Sequence, residues 1–171
     1  GYDVRVGGLS PEERDRNLAT LKAISARAKK YGLDFYLGLW SHFISTPEGV
    51  KVEYPIEGIS DESHADYCRD AVKHLLQQCP DIDGVLLRVN FESGIPEGPL
   101  DFWDTYIQGI ADAGRPVKLD MRAKGITFEL IENAQKKGLE VIASTKFTAE
   151  HMGLPYHQAQ IRIDELEREG R

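Results

Sequence analysis

The sequence lacks an excess of basic residues and lacks long apolar runs, and each deficit excludes a class of proteins. Its 21 Lys and Arg residues against 28 Asp and Glu residues give a formal charge of −7, which argues against nucleic acid as a partner. Every apolar run falls short of the roughly 18 residues that a membrane span needs, and no basic-then-apolar signal peptide opens the chain. We therefore expect neither nucleic acid nor a membrane as a partner, while both a cytoplasmic and an exported location stay open.

Cysteine is scarce as well, and the spacing of the two cysteines excludes a disulfide between them. Cys68 and Cys79 lie on one predicted helix, where eleven residues correspond to roughly 16 Å along the axis. A disulfide needs Cα atoms within about 7 Å of each other. We expect two thiols in the core.

Strand and helix patterns alternate along the chain. Apolar strand patterns begin near residues 34, 84, 116 and 140. The helices between them carry N-terminal signals, namely a capping box at Ser10 with Pro11 and Glu13, and caps at Ser60 and Thr127. This alternation is typical of an α/β fold built from parallel βα units with right-handed crossovers.

Four such units correspond to about half of a TIM-type (β/α)8 barrel, which typically takes roughly 250 residues. We predict that residues 1–171 form a single barrel-type domain, a partial barrel that the rest of a longer chain or another subunit completes. A small doubly wound domain is the competing interpretation. The Gly-rich phosphate fingerprint of nucleotide-binding versions follows none of the strand patterns, which weakens that alternative.

The segment from residue 41 to residue 60 is too long for a simple connector between a strand and a helix. Two short apolar stretches flank the turn sequence Thr46-Pro47-Glu48-Gly49. We expect a hairpin here that forms a wall of the binding site, because loops of this size at a barrel mouth commonly have that role.

The most informative stretch lies between residues 81 and 99, where a buried strand passes into a loop rich in glycine and proline. Side chains alternate between the two faces of a strand. If the strand continues to Glu92, then Arg88, Asn90 and Glu92 share one face. Barrel enzymes place their chemistry at the carboxyl ends of the strands, so we expect a site around Glu92.

The next strand repeats this pattern, with Lys118, Asp120 and Arg122 on one face. On the first strand, Trp40 and His42 are the residues that we expect to face the same region, with Gly38 leaving room. Two neighbouring strands with alternating polar residues indicate a polar barrel interior. The alternative is a structural network of ion pairs, since buried charges must be paired.

A final set of polar and aromatic residues follows the last strand, and its members are Lys146, His151, Tyr156 and His157. Aromatic and His side chains at a barrel mouth suit stacking on a sugar ring and hydrogen bonding to it. Two His residues without a third ligand at a set spacing are weak evidence for zinc, so we expect no metal.

The strand-to-loop segment GVLLRVNFESGIPEGP resembles the corresponding stretch of alpha-glucuronidase-type glycoside hydrolases, in which a strand running through a basic residue and Asn leads to a Glu and a Gly-Pro loop. The resemblance implies that Glu92 is the general acid. In the commonest glycosidase pattern Asn and Glu are adjacent, whereas Phe91 separates Asn90 from Glu92 here. No motif carries over the second carboxylate of the family, which leaves Asp120 or a residue beyond Arg171.

Three hypotheses about function follow. The first is hydrolysis of a carbohydrate, with uronic-acid-containing sugars among the candidate substrates, Glu92 as acid, Asp120 as base or nucleophile, and Arg88 and Lys146 binding substrate anions. The second is a Schiff-base lyase or aldolase that uses Lys118 or Lys146. The third is a carbohydrate-binding fragment without turnover. None of the three requires a cofactor.

Overall fold

The computed structural model describes residues 2–44, 54–95 and 100–145. In chain order the elements are β1 (Arg5–Val6), α1 (Pro11–Lys30), β2 (Tyr36–Leu39), β3 (Ile56–Glu57), α2 (Asp61–Gln78), β4 (Gly84–Leu87), a short 3-10 turn (Phe91–Ser93), α3 (Leu100–Ala111), β5 (Lys118–Arg122), α4 (Phe128–Lys136) and β6 (Glu140–Ser144). Within these ranges, no helix combines the length and the apolar character that crossing a membrane requires.

The main sheet is parallel and its strands follow one another in the order β2-β4-β5-β6. The register pairs Gly38 with Leu86, Leu86 with Asp120, and Asp120 with Ile142. The predicted α/β class, with parallel strands that begin near residues 34, 84, 116 and 140, is confirmed. A second sheet joins β1 and β3 antiparallel through two residue pairs.

The hydrophobic core lies on one face of the main sheet. Val85, Leu87, Leu119 and Met121 point to this face and are fully buried. Residues of all four helices in the described ranges pack against it, among them Leu21, Leu76, Ile107, Ile110, Leu130 and Ala134. Burial of apolar side chains is the dominant favourable contribution to folding, and this layer contains the buried apolar residues of the sheet. The opposite face carries no helix in the described part of the chain.

The predicted helix starts are also confirmed. The Ser10 hydroxyl accepts the Glu13 amide hydrogen at 3.2 Å, and the Glu13 carboxylate accepts that of Ser10 at 2.9 Å, which completes the capping box. The Thr127 hydroxyl accepts the Leu130 amide hydrogen at 3.2 Å. Each cap satisfies backbone donors that a helix start otherwise leaves unpaired. Cys68 and Cys79 are free thiols, as expected.

One prediction about strand length is wrong. β4 ends at Leu87, so Arg88, Asn90 and Glu92 do not continue the alternation of the strand. The chain leaves the sheet there and forms the 3-10 turn, which Gly94 closes in the left-handed region with φ +92°. Few residues other than glycine adopt that conformation at low cost. The hairpin predicted between residues 41 and 60 falls largely outside the described residues.

Candidate functional site

The candidate site lies at the carboxyl ends of β4 and β5, where the 3-10 turn carries Glu92 out of the sheet. The Ser93 amide donates to the Asn90 carbonyl at 2.9 Å, and the Gly94 amide donates to the Phe91 carbonyl at 3.0 Å. Asn90 itself is 1% exposed. These two hydrogen bonds and the burial of Asn90 fix the turn, which places the Glu92 carboxylate at the carboxyl end of the sheet.

Two cations bind the Glu92 carboxylate. Arg88 donates a short hydrogen bond to Oε2, and Lys124 Nζ lies 3.0 Å from Oε1. Asn90 Nδ2 is within 3.5 Å of the same Oε2 atom. The three partners hold the carboxylate in one orientation, and the cluster of Glu92, Arg88 and Lys124 carries one excess positive charge.

This arrangement keeps Glu92 ionised. The hydrogen bond from Lys124 lowers the pKa of Glu92 most, and the charges of Arg88 and Lys124 add to this against a partial desolvation that raises it. A carboxylate with opposite charges nearby favours its charged form. In this state Glu92 is an anion at neutral pH, whereas a general acid needs a proton.

Two exposed aromatic rings, those of Trp40 and Phe91, lie beside the cations of this cluster. The Trp40 ring folds back over Gly38, where an added Cβ would meet its Nε1 atom at 3.3 Å. The guanidinium carbon of Arg88 lies 5.4 Å from the Trp40 ring centroid. Phe91 is 55% exposed, and Lys124 Nζ lies 5.2 Å from its ring centroid. Both rings leave apolar surface open beside charged groups.

Several polar atoms at this end of the sheet and on the open face of β5 are buried without a hydrogen-bond partner among the described residues. They are Arg88 Nε, Asn90 Oδ1, Asp120 Oδ1 and Arg122 Nε. A buried polar group without a partner costs about 1–3 kcal/mol, so such groups are rare in native structures. These four atoms, on adjacent segments, are hydrogen-bonding groups that water, a polar ligand or a residue outside the described ranges would satisfy.

The three site residues predicted on β5 lie at different positions along the strand. Asp120 lies mid-strand, and its Oδ2 accepts a hydrogen bond from the Ser144 hydroxyl at 2.8 Å. Arg122 is the last residue of the strand, on the side of Glu92. Lys118 is the first residue and lies within 4 Å of carboxylates of Asp34 and Glu140. It is therefore at the opposite end of the strand from the Glu92 cluster.

His42 and Phe91 lie elsewhere than expected. The His42 ring is 7% exposed and packs among the aromatic side chains of α3, away from the open face. If the strand had continued to Glu92 as predicted, Phe91 would have been on its apolar face; it is exposed instead because the strand ends at Leu87. Lys146, His151, Tyr156 and His157 lie outside the described residues.

Sequence reasoning missed Lys124. This residue follows β5 by two positions, in the loop that leads to α4. The other candidates on β5 were chosen because side chains alternate along a strand, and Lys124 lies after the end of that strand. The rule that the loops after parallel strands lie together at one edge of the sheet would have identified it. No group of three or more metal-ligating side chains occurs among the described residues.

In comparisons with known proteins, the chain matches no protein-family model, no curated protein and no solved structure.

Proposed function

We propose that the sheet is part of a TIM-type (β/α)8 barrel and that its carboxyl end is a glycoside hydrolase site for a carbohydrate that contains a uronic acid. The buried polar atoms of Arg88, Asn90, Asp120 and Arg122 that lack a partner within the described ranges, on the segments that also carry exposed aromatic rings, are the observation that carries this proposal. Carbohydrate sites need both kinds of surface, since a sugar presents hydroxyl groups and an apolar ring face.

The strand order supports the barrel. In a doubly wound sheet the order reverses at a switch point and helices cover both faces. Here the order β2-β4-β5-β6 never reverses, and right-handed crossovers then place the three connecting helices, α2, α3 and α4, on the same face. The open face carries Asp120 and Arg122, as expected for a polar barrel interior. The further strands would come from the rest of a longer chain or another subunit.

The charges around Glu92 support an anionic sugar. Arg88 and Lys124 together exceed the charge of Glu92 by one, and Arg122 lies at the end of the neighbouring strand. A uronate carboxylate bound by one of these cations would draw it from Glu92. The pKa of Glu92 would then rise, which is what proton donation to the leaving oxygen requires.

The carboxylates of Glu92 and Asp120 have different roles in this reaction. Glu92 is the general acid once its cations bind the substrate, and Asp120 is the base or nucleophile. Ser144 orients Asp120 through its hydrogen bond to Oδ2, which leaves Oδ1 for the substrate. Catalysis by two carboxylates requires them to lie roughly 5 to 9.5 Å apart across the scissile bond.

Glycoside hydrolysis and sugar binding are measured in parallel. Aryl glucuronides and aryl glucosides are incubated with the wild type, with Glu92→Gln and with Glu140→Gln, a matched control at the other end of the sheet. Calorimetry with glucuronate and glucose measures binding. We expect glucuronide hydrolysis that Glu92→Gln abolishes and Glu140→Gln preserves.

The other outcomes discriminate between the hypotheses. Glucuronate binding without hydrolysis in any variant would make the domain a carbohydrate-binding module. Hydrolysis that Glu92→Gln leaves unchanged would refute the assignment of Glu92, and preference for glucose over glucuronate would refute the role of the cations. Borohydride trapping of a carbonyl compound would instead support the Schiff-base chemistry.

A further inference from the structure

His42 lies where the segment after β2 meets the turn that carries Glu92. Its backbone amide donates to the Ser93 carbonyl at 2.7 Å, across 51 positions of sequence. The neighbouring residue, Phe43, packs its ring against Gly94, so that a Cβ on Gly94 would lie 2.7 Å from Phe43 Cγ. The segment after β2 thus holds the C-terminal end of the 3-10 turn in place.

Aromatic side chains of α3 enclose the His42 imidazole. Its ring centroid lies 5.3 Å from that of Trp103 and 5.1 Å from that of Tyr106, with interplanar angles of 86° and 78°. Phe102 lies 6.4 Å away, also edge-on. Both ring nitrogens are buried without a hydrogen-bond partner among the described residues. Such a site accepts a neutral imidazole, and it disfavours a charged one because neither N–H would be solvated.

Within the described part of the chain, the titratable groups near this ring do not compensate a positive charge. His64 of α2 is the titratable neighbour whose charge acts on His42, and it opposes protonation. Burial raises the pKa of Tyr106, and it raises that of Cys68 to about 12, so both stay neutral. Asp61 raises the pKa of His64 and is not among the groups that act on His42.

We propose that His42 is a positioning residue for Glu92, and that it holds the Glu92 turn only while its imidazole is uncharged. Protonation drives the ring out of the aromatic cage toward solvent, because the adjoining cavity of about 200 Å³, lined largely by apolar side chains such as Leu39, Ile44 and Ile59, does not solvate a charged imidazole either. The hydrogen bond to Ser93 then breaks, and Glu92 loses its fixed orientation. The loss of catalysis that follows from the misplaced Glu92 rests on the proposed function. The loss of the hydrogen bond between His42 and Ser93 does not.

The pH window follows from linkage. Burial, with a smaller effect of His64, lowers the pKa of His42 from 6.5 to about 4 in the folded protein. An opened state with an ordinary imidazole takes up a proton more readily. The hold on the turn is therefore complete above pH 6.5 and weakens as the pH falls toward 4. Between pH 7 and pH 4.5 the population of the open state rises roughly 50-fold.

Hydrogen exchange of the His42 and Ser93 amides tests this directly, after correction for the intrinsic rate at each pH. We expect protection in the wild type to fall roughly 50-fold between pH 7 and pH 4.5. His42→Phe keeps an aromatic ring in the cage but cannot take up a proton, so its protection is expected to stay constant. The matched control is His74→Phe, which removes an exposed histidine of α2 and is expected to behave like the wild type.

Equal loss of protection in the wild type and in His42→Phe would overturn the proposal, as would constant protection in the wild type. If His42→Phe does not fold, the imidazole Cε1 proton resonance of His42 in the wild type decides. Titration near pH 4 together with loss of the Ser93 contact supports the proposal, and titration near pH 6.5 refutes it. Failure of the glycosidase assay with the expected exchange result would refute the proposed function alone.

Discussion

Replacing Gly94 with Ala is expected to destabilise the protein for two separable reasons. Gly94 has φ +92°, where a Cβ meets the backbone, and a residue other than glycine pays about 1–2 kcal/mol in the left-handed region. The new Cβ would also lie 2.7 Å from Cγ and 2.8 Å from Cδ1 of Phe43. These atoms are at the base of the ring, so the whole side chain must rotate, at an expected cost of about 0.5–1.5 kcal/mol.

Gly138→Ala isolates the first of these contributions. Gly138 has φ +84°, and a Cβ there would meet nothing within 4 Å. The free energy of unfolding, measured by urea denaturation, is expected to fall by about 1–2 kcal/mol in Gly138→Ala and by about 1 kcal/mol more in Gly94→Ala. Equal losses would show that Phe43 does not pack on the Glu92 turn, and the reasoning about that contact would be refuted.

Three further predictions concern the helices and the Glu92 cluster. Gly109→Ala places a Cβ 2.2 Å from the Arg69 carbonyl oxygen, and we expect urea unfolding to show a loss of about 1–3 kcal/mol from overpacking even though Ala is the better helix former. Lys124→Met removes the largest cause of the lowered pKa of Glu92, so a carboxyl-carbon NMR titration should show that pKa rise; no change would contradict the ion pair. Ser10→Ala removes the α1 cap and should lower the free energy of unfolding by about 1 kcal/mol, while an unchanged midpoint in urea would argue against the cap.

The sequence predicted the elements well because their signals are local. Apolar periodicity placed the strand starts, and the hydroxyl caps at Ser10 and Thr127 placed the helix starts. Each of these signals depends on residues within one or two turns of the chain. The parallel sheet followed from their alternation.

The site was harder to predict because its geometry depends on contacts between distant segments. Val89 and Phe91 continue the apolar pattern of β4, yet the sheet hydrogen bonds stop at Leu87 and the following turn reverses the exposure of Phe91. The burial of His42 depends on aromatic residues about 60 positions later. Lys124, in the loop after β5, donates a hydrogen bond to Glu92, in the segment after β4. Periodicity within one segment contains no information about these contacts.

The strand order also has a consequence for the way the chain folds. Each strand of the main sheet pairs with the strand of that sheet that precedes it in sequence, so β4 adds to β2, β5 to β4, and β6 to β5. Parallel pairing always needs a crossover connection, and in this order each added strand closes a loop of only one such connection. The sheet can therefore grow one βα unit at a time as the polypeptide leaves the ribosome, each unit using the edge of the last as its template.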